Sequence, residues 1–268
     1  MTSDWNVEIA PGVHMPLLGL GTWQARGEAV ERAVGYALEL GYRHVDTALM
    51  YGNEREVGRA LSASGVARGE VFVTTKLWPD RAGRERETIE ESLAALGLES
   101  VDLWLIHWPP GGRARADVWE RLLEAQADGL ARAVGVSNYT IAQLDELERA
   151  TGSMPPVNQI EWSPALYDAQ ELRAHRERGV TLEGYSPLRT TNLRDRRLVA
   201  IAEGHGVTAA QVVIRWHLEH EVVVIPKSTH PERIAENWDV FGFELSGDEV
   251  AELDDLSRYG PRAMERLD

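Results

Sequence analysis

Apolar residues along the chain come in two alternating textures. Short dense runs appear at 17–23 (LLGLGTW), 42–47 (YRHVDT), 71–78 (VFVTTKLW), 101–108 (VDLWLIHW), 131–138 (ARAVGVSN), 157–162 (VNQIEW), 180–186 (VTLEGYS) and 221–228 (EVVVIPKS). Most are too short for helices and several are bounded by Gly, Pro or Asn, so they read as strands. The stretches between them are amphipathic. In 28–40, Ala29, Val30, Ala33, Val34, Ala37 and Leu38 share one helical face, and Gly41 follows as a stop. In 84–97, Ile89, Leu93 and Leu96 recur at helical spacing before Gly97. Thr140 with Gln143, Thr208 with Gln211, and Ser246 with Glu249 form capping boxes that start three more helices.

Strand-to-strand spacing of about 20 to 45 residues suits βα units. Eight such units in series predict an α/β fold, a closed (β/α)8 TIM barrel. An open doubly wound sheet is the alternative. It is disfavoured because GLGTWQ at 19–24 has the first two glycines of the dinucleotide fingerprint but not the third. The opening VEIAPGVHMPLL places a Pro-Gly turn between two alternating segments and predicts an N-terminal β-hairpin. No linker or composition shift divides the 268 residues, so a single domain, 1–268, is expected.

Composition narrows the chemistry. The chain has no cysteine, which excludes thiolate nucleophiles, disulfides and cysteine-ligated zinc. No metal site is expected. The first residues lack a basic segment followed by an apolar one, and no apolar run approaches the 18 or so residues of a membrane span, so a cytoplasmic protein without membrane contact is expected. A formal net charge of −15 repels phosphate backbones and argues against nucleic acid. An anionic ligand would need a local basic pocket.

In a parallel barrel the chemistry sits at the C-terminal strand ends. Here those ends carry Trp23, Asp46, Lys76 with Trp78, His107 with Trp108, Ser137 with Asn138, Gln159, Tyr185 and Lys227. Lys76 is the most informative, because it follows VFVTT in a strand expected to be buried on both faces. An unpaired buried ammonium costs roughly several kcal/mol. Asp46 ends the preceding strand, and neighbouring strands lie about 4.8 Å apart, so the two can pair. Alone, that pair suits a structural ion bridge as well as a catalytic one. Tyr51 on the following loop and His107 at the end of the fourth strand extend it to four titratable groups at one mouth. The expected chemistry is carbonyl reduction: Lys76 lowers the pKa of the Tyr51 phenol, Asp46 holds Lys76 charged, and His107 donates to the carbonyl oxygen.

Lys227 ends the last strand, and 231–237 reads as a short helix with Pro231 in its first turn. Lys227, Ser228 and Arg233 place positive charge where such barrels commonly bind phosphate. A solvated helix face would present the same residues.

HVDTALMYGNEREVG, VFVTTKLW, LIHWP, AVGVSNY, VNQIEWSP, GYSPL and IPKSTHPERIAENWDVFGFELS, in that order and spacing, resemble the aldo-keto reductase family from about Val7 to Leu256. The resemblance is strongest to bacterial members acting on diketo-sugar acids such as diketogluconate, on 2-keto acids or on methylglyoxal-like aldehydes. It implies a barrel with NADPH extended across its mouth and a small-molecule carbonyl substrate. Asp46, Tyr51, Lys76 and His107 match the family's catalytic tetrad, with Tyr51 as proton donor. Thr22 falls at a cofactor position. Ser137, Asn138 and Gln159 match the residues that hold the nicotinamide carboxamide. Tyr185 matches the ring stacked on the nicotinamide, and Ser186 and Leu188 the segment along the pyrophosphate. Lys227, Ser228 and Arg233 match the 2′-phosphate grip, and Glu236 and Asn237 the adenine surroundings. Trp23, Met50, Trp78 and Trp108 match the pocket wall.

The chain departs from the family in its short tail, SRYGPRAMERLD, which keeps Gly260-Pro261 but lacks the acidic residue that often follows. An open site with broad substrate tolerance is the corresponding expectation, in a monomer. Glu183 sits on a strand that should be buried, and the sequence suggests for it only hydrogen bonding inside the barrel. Two rival functions remain at this point: a Schiff-base aldolase using Lys76, which needs a neutral amine, and an NADPH-binding regulatory subunit with little turnover.

Overall fold

The computed structural model describes residues 5–259. The Gly260-Pro261 step and the rest of the tail lie outside the described residues. A hairpin opens the chain: β1 (Asn6–Ala10) pairs antiparallel with β2 (Val13–Pro16) across Gly12. Eight parallel strands follow: β3 (Leu20–Gly21), β4 (His44–Asp46), β5 (Phe72–Leu77), β6 (Val101–Ile106), β7 (Ala131–Ser137), β8 (Val157–Glu161), β9 (Thr181–Tyr185) and β10 (Val223–Val224). They lie side by side in sequence order. All eight predicted runs contain a strand.

The helices are α1 (Glu28–Leu40), α2 (Glu54–Ala63), α3 (Glu85–Leu96), α4 (Ala116–Ala127), α5 (Ile141–Thr151), α6 (Ala169–Glu177), α7 (Arg196–His205), α8 (Ala209–Glu219), α9 (Pro231–Trp238) and α10 (Gly247–Asp254). Local chemistry sets their ends. Gly41 and Gly97 close α1 and α3 in the left-handed region, at φ 115° and 67°. The three capping boxes form, each with reciprocal bonds, at the starts of α5, α8 and α10. The buried face of α1 is Val30, Ala33, Val34, Ala37 and Leu38. The core lies between strands and helices, with β5 and β6 buried along their whole length, as a strand ring covered by helices demands.

Closure between β3 and β10 is made by isolated bridges. Leu18 pairs with Val224 and Gly21 with Lys227. The amides of Gly19 and Gly21 donate to the carbonyls of Val224 and Pro226 at 2.9 and 3.2 Å. Among the described residues the eight-stranded sheet thus closes on itself, and the open doubly wound alternative falls. The glycines of GLGTWQ serve this seam. A Cβ on Gly21 would stand 2.8 Å from the Ile225 carbonyl oxygen, and one on Gly19 would stand 2.6 Å from His44 Nδ1.

Replacing Gly21 by Ala is therefore expected to destabilise the protein by about 1–3 kcal/mol in urea unfolding, because the backbone of β10 cannot yield as a side chain would. Gly35→Ala, at an open position inside α1, is the control and should stabilise by about 0.5–1 kcal/mol.

Candidate active site

The mouth is built around one ion pair. Asp46 ends β4, and Lys76 lies one residue before the end of β5. The Lys76 ammonium, wholly buried, donates to both Asp46 carboxylate oxygens at 2.6 and 2.7 Å and to the Thr47 carbonyl at 2.9 Å. Burial works against its charge. The charges of Asp46 and Tyr51 and the hydrogen bond to Asp46 outweigh it and hold the ammonium above its ordinary pKa. Asp46 is fixed in turn. Its second oxygen accepts from the Gln159 amide at 2.8 Å, and its backbone carbonyl accepts from the Thr22 hydroxyl at 2.9 Å.

Tyr51 ends the short turn Leu49–Tyr51 and stands over this pair, its hydroxyl 3.4 Å from Lys76 Nζ. The expectation from sequence was a phenol made more acidic by Lys76, and the structure corrects it. Burial raises the Tyr51 pKa more than Lys76 lowers it, and Asp46 raises it further. The physical reason is that Asp46 neutralises Lys76 at closer range than Tyr51 feels it. The net field at the phenol is small, and desolvation wins.

His107 follows β6. Burial, then the Lys76 charge, push its pKa down to about 3, so the ring is neutral. Its Nδ1 is buried without a hydrogen-bond partner. A bare lone pair there is less costly than an orphaned N–H, so the proton belongs on Nε2. The edges of Tyr51 and Trp78 pack on the ring, at centroid distances of 5.6 and 5.3 Å.

A belt of hydrogen bonds continues around the rim. The Tyr185 hydroxyl donates to Asn138 Oδ1 at 2.9 Å, and Asn138 Nδ2 donates to the Ser137 hydroxyl and the His107 carbonyl, both at 3.0 Å. Ser137 Oγ donates to the Gln159 carbonyl at 2.8 Å. Asn138 and Ser186 carry φ of 64° and 54°, the positive values that non-glycine residues reserve for special positions.

A cavity of about 270 Å³ opens above the pair. Of the expected site residues, Asp46, Tyr51, His107, Ser137, Asn138, Gln159, Tyr185, Ser186 and Lys227 line it, with Trp23, Met50, Trp78 and Trp108 as apolar wall. Trp23, Met50 and Trp108 are 40, 47 and 46 % exposed, so that wall is an open rim. Lys76 lies beneath the floor. Thr22 is buried behind Asp46, and Leu188 packs into the apolar cluster of β8, β9, α7 and α8, outside the cavity lining. Ser228 follows Lys227 in the turn before α9, Arg233, Glu236 and Asn237 lie on α9, and none of the four lines the cavity. Ser228 is tied to the His230 amide, and Glu236 accepts from the Thr208 hydroxyl at 2.7 Å. Lys227 and Arg233 are exposed and have no carboxylate partner among the described residues.

Sequence reasoning passed over three residues here. Arg189 and Ile225 also line the cavity. Asn53 donates to the carbonyls of Thr22 and Ala25, both at 2.9 Å, and accepts from the Thr47 hydroxyl, so it ties the Tyr51 loop to the end of β3. Its place in HVDTALMYGNE, one residue before a helix, was the available signal. A second cavity, about 310 Å³, lies at the opposite end, but its cations are committed. Arg132 serves Asp102 and the Gly12 carbonyl, and Arg43 serves two backbone carbonyls.

The donor set fits a nicotinamide dinucleotide phosphate. Amides, a hydroxyl and a flat ring border the floor, and unpaired cations stand at one side in an acidic protein. Among the described residues there is no cluster of metal-ligating side chains and no helix long and apolar enough to cross a membrane.

Comparison with known proteins agrees with this geometry. The chain is 44% identical over 268 residues to methylglyoxal reductase DkgA of Salmonella typhimurium, covering 97% of this chain and 98% of that protein. It is also 44% identical over 275 residues to morphine 6-dehydrogenase of Pseudomonas putida, covering 95% and 93%. The crystal structure of the Bombyx mori aldo-keto reductase in complex with NADP superposes with a TM-score of 0.87 at 32% identity, covering 94% of this chain and 92% of that one. Residues 17–258 match the model of the Aldo/keto reductase family, and the chain belongs to that family of oxidoreductases.

Proposed function

We infer that the protein reduces small aldehydes and ketones, α-keto acids and diketo-sugar acids among them, to alcohols with NADPH, and that Tyr51 donates the proton. The observation that carries this is the meeting of Tyr51, Lys76, Asp46 and a neutral His107 on the floor of one aromatic-walled cavity. The NADP complex of a relative and the reductase and dehydrogenase names of two others support the cofactor and the reaction class. Lys227, Ser228 and Arg233 suit the 2′-phosphate, since guanidinium and phosphate match in fork geometry.

A nicotinamide held at the mouth would supply hydride to the carbonyl carbon. His107 Nε2–H holds the carbonyl oxygen, where negative charge develops. Tyr51 O–H passes its proton to that oxygen. A developing alkoxide is a far stronger base than a phenolate, so transfer needs no previously acidified phenol. Lys76 stabilises the phenolate left behind, and that interaction is realised only as the proton moves. The Schiff-base alternative is disfavoured, because the Lys76 proton is held by two carboxylate oxygens and a carbonyl and no neutral amine is presented. Substrate breadth follows from the open rim. Arg189 at its edge favours carbonyl compounds that carry a carboxylate.

Tyr51→Phe should retain NADPH binding and lose turnover by about 10² to 10⁴. Stopped-flow binding and steady-state reduction of methylglyoxal check this, and full activity in the variant rejects Tyr51 as the donor. Arg233→Ala should weaken NADPH about 10- to 100-fold while leaving NADH within about twofold. Equal losses would place 2′-phosphate recognition elsewhere. His107, neutral down to about pH 3, should leave no inflection in kcat near the ordinary imidazole range. A drop in kcat centred there that vanishes in His107→Gln would contradict the neutral-donor assignment.

A further inference from the structure

Glu183 is the buried acid that the chemistry above leaves unused. It points into the barrel from the middle of β9, in register with Gln159 on β8 and Val223 on β10. It has no exposed surface, and neither carboxyl oxygen has a hydrogen-bond partner. Two buried, unpartnered oxygens are a poor home for a full charge and a tolerable one for a neutral acid. The groups that face it are few. From β4 come His44, whose Nε2 lies 3.8 Å from Glu183 Oε1, and Asp46; from β5 comes Lys76; from β8, Gln159. Val223 on β10 brings no charge.

Their states are mutually consistent. His44 donates from Nδ1 to the Pro16 carbonyl at 3.2 Å, and its Nε2, left with a lone pair, accepts from the Thr74 hydroxyl at 3.3 Å beside the acid. Burial lowers the His44 pKa to about 4. Burial first, and then Asp46, raise Glu183 to about 8, against smaller opposing effects of Gln159 and Lys76. At neutral pH the barrel therefore holds a neutral acid beside a neutral imidazole, beneath an ion pair whose charges cancel.

We propose that Glu183 is a positioning residue for the charge of the catalytic floor: kept neutral, it leaves Asp46 and Lys76 balanced so that Tyr51 can hold negative charge after giving up its proton, and ionising it weakens Tyr51 as a donor. This rests on the carbonyl-reductase function inferred above. The balance is simple. With Glu183 protonated, the cluster of Lys76, Asp46 and a Tyr51 phenolate carries one negative charge. With Glu183 ionised it carries two, around a lysine that has no exposed surface. The same interaction raises the Tyr51 pKa. Only the phenol proton moves in the reaction; Glu183 keeps or loses its own to solvent between turnovers.

Glu183→Gln keeps the shape of the protonated acid and cannot ionise. It should match the wild type in kcat at pH 6, while the wild type alone falls on the order of three- to tenfold as pH passes about 8. KM should not follow. Parallel curves, or one constant deficit at every pH, overturn the proposal. Two readouts on the cofactor-free protein stand apart from turnover. Infrared spectra should contain a protonated-carboxyl C=O band that fades as pH passes about 8 and is missing from E183Q. The Tyr51 ultraviolet titration, isolated by subtracting Tyr51→Phe, should shift to lower pH in E183Q. If no carbonyl compound is reduced, the functional assignment fails, and these two measurements still decide the charge-balance claim. If E183Q does not fold, the wild-type band decides: fading as pH passes about 8 supports the proposal, and no such fading overturns it.

Discussion

A lysine ammonium without exposed surface persists only where its charge is met, and the mouth of this barrel is arranged to meet the one on Lys76. Two oxygens of Asp46 and the carbonyl of Thr47 take its protons. A buried pair of this kind offsets its own desolvation only when the remaining lone pairs are bonded as well. Gln159 from across the barrel supplies that bond to Asp46, and Thr22 fixes the Asp46 backbone. The Thr47 carbonyl reaches Lys76 only if the chain leaving β4 turns over the mouth. That turn, pinned by Asn53, delivers Tyr51. The need to satisfy one charge thus places the proposed proton donor.

The same economy explains why Tyr51 is not acidic at rest. A lone lysine would pull the phenol pKa down, but a lysine already neutralised by a carboxylate at hydrogen-bond range exerts little net field. Burial then dominates and raises it. Lys76 opposes that rise, and its pull acts on the phenolate and not on the neutral phenol. Such a difference between ground and transition states accelerates a reaction, where uniform stabilisation does not.

Much of this was legible in the residues because it is local or follows from parallel pairing. Glycine stops and capping boxes are encoded within four residues, so helix ends could be read directly. The Asp46–Lys76 pair followed from the positions of two strand ends and the cost of a buried charge. The ends of the barrel were harder. The runs at 17–23 and 221–228 hold only Leu20–Gly21 and Val223–Val224 as regular strand, because closure there depends on scattered bridges at Leu18 and Gly21. The glycines of GLGTWQ matched part of a phosphate fingerprint but answer to steric demands from Ile225 and His44, which sit far away in sequence or on another strand. The sign of the Tyr51 shift was missed for a similar reason. Proximity to Lys76 could be inferred from spacing, whereas depth of burial and the sharing of that lysine with Asp46 are properties of the assembled mouth. Glu183 stood out as a charge in a buried strand, but the neutrality proposed for it depends on its depth of burial and on Asp46 from another strand.

The distribution of charge over the molecule bears on ligand capture. A body of net charge −15 repels anions at long range, yet at physiological salt that repulsion is screened within about 8 Å. Inside that distance, Lys227 and Arg233 present cations without carboxylate partners, and Arg189 brings a third to the rim. Some other arginines face acids on their own or a neighbouring helix, as Arg32 does Glu28 and Arg178 does Asp145, while others, Arg55 and Arg173 among them, have no ion pair among the described residues. On the proposed reading Lys227 and Arg233 meet the cofactor phosphate at one side of the barrel mouth, while the floor stays electrically balanced for proton transfer.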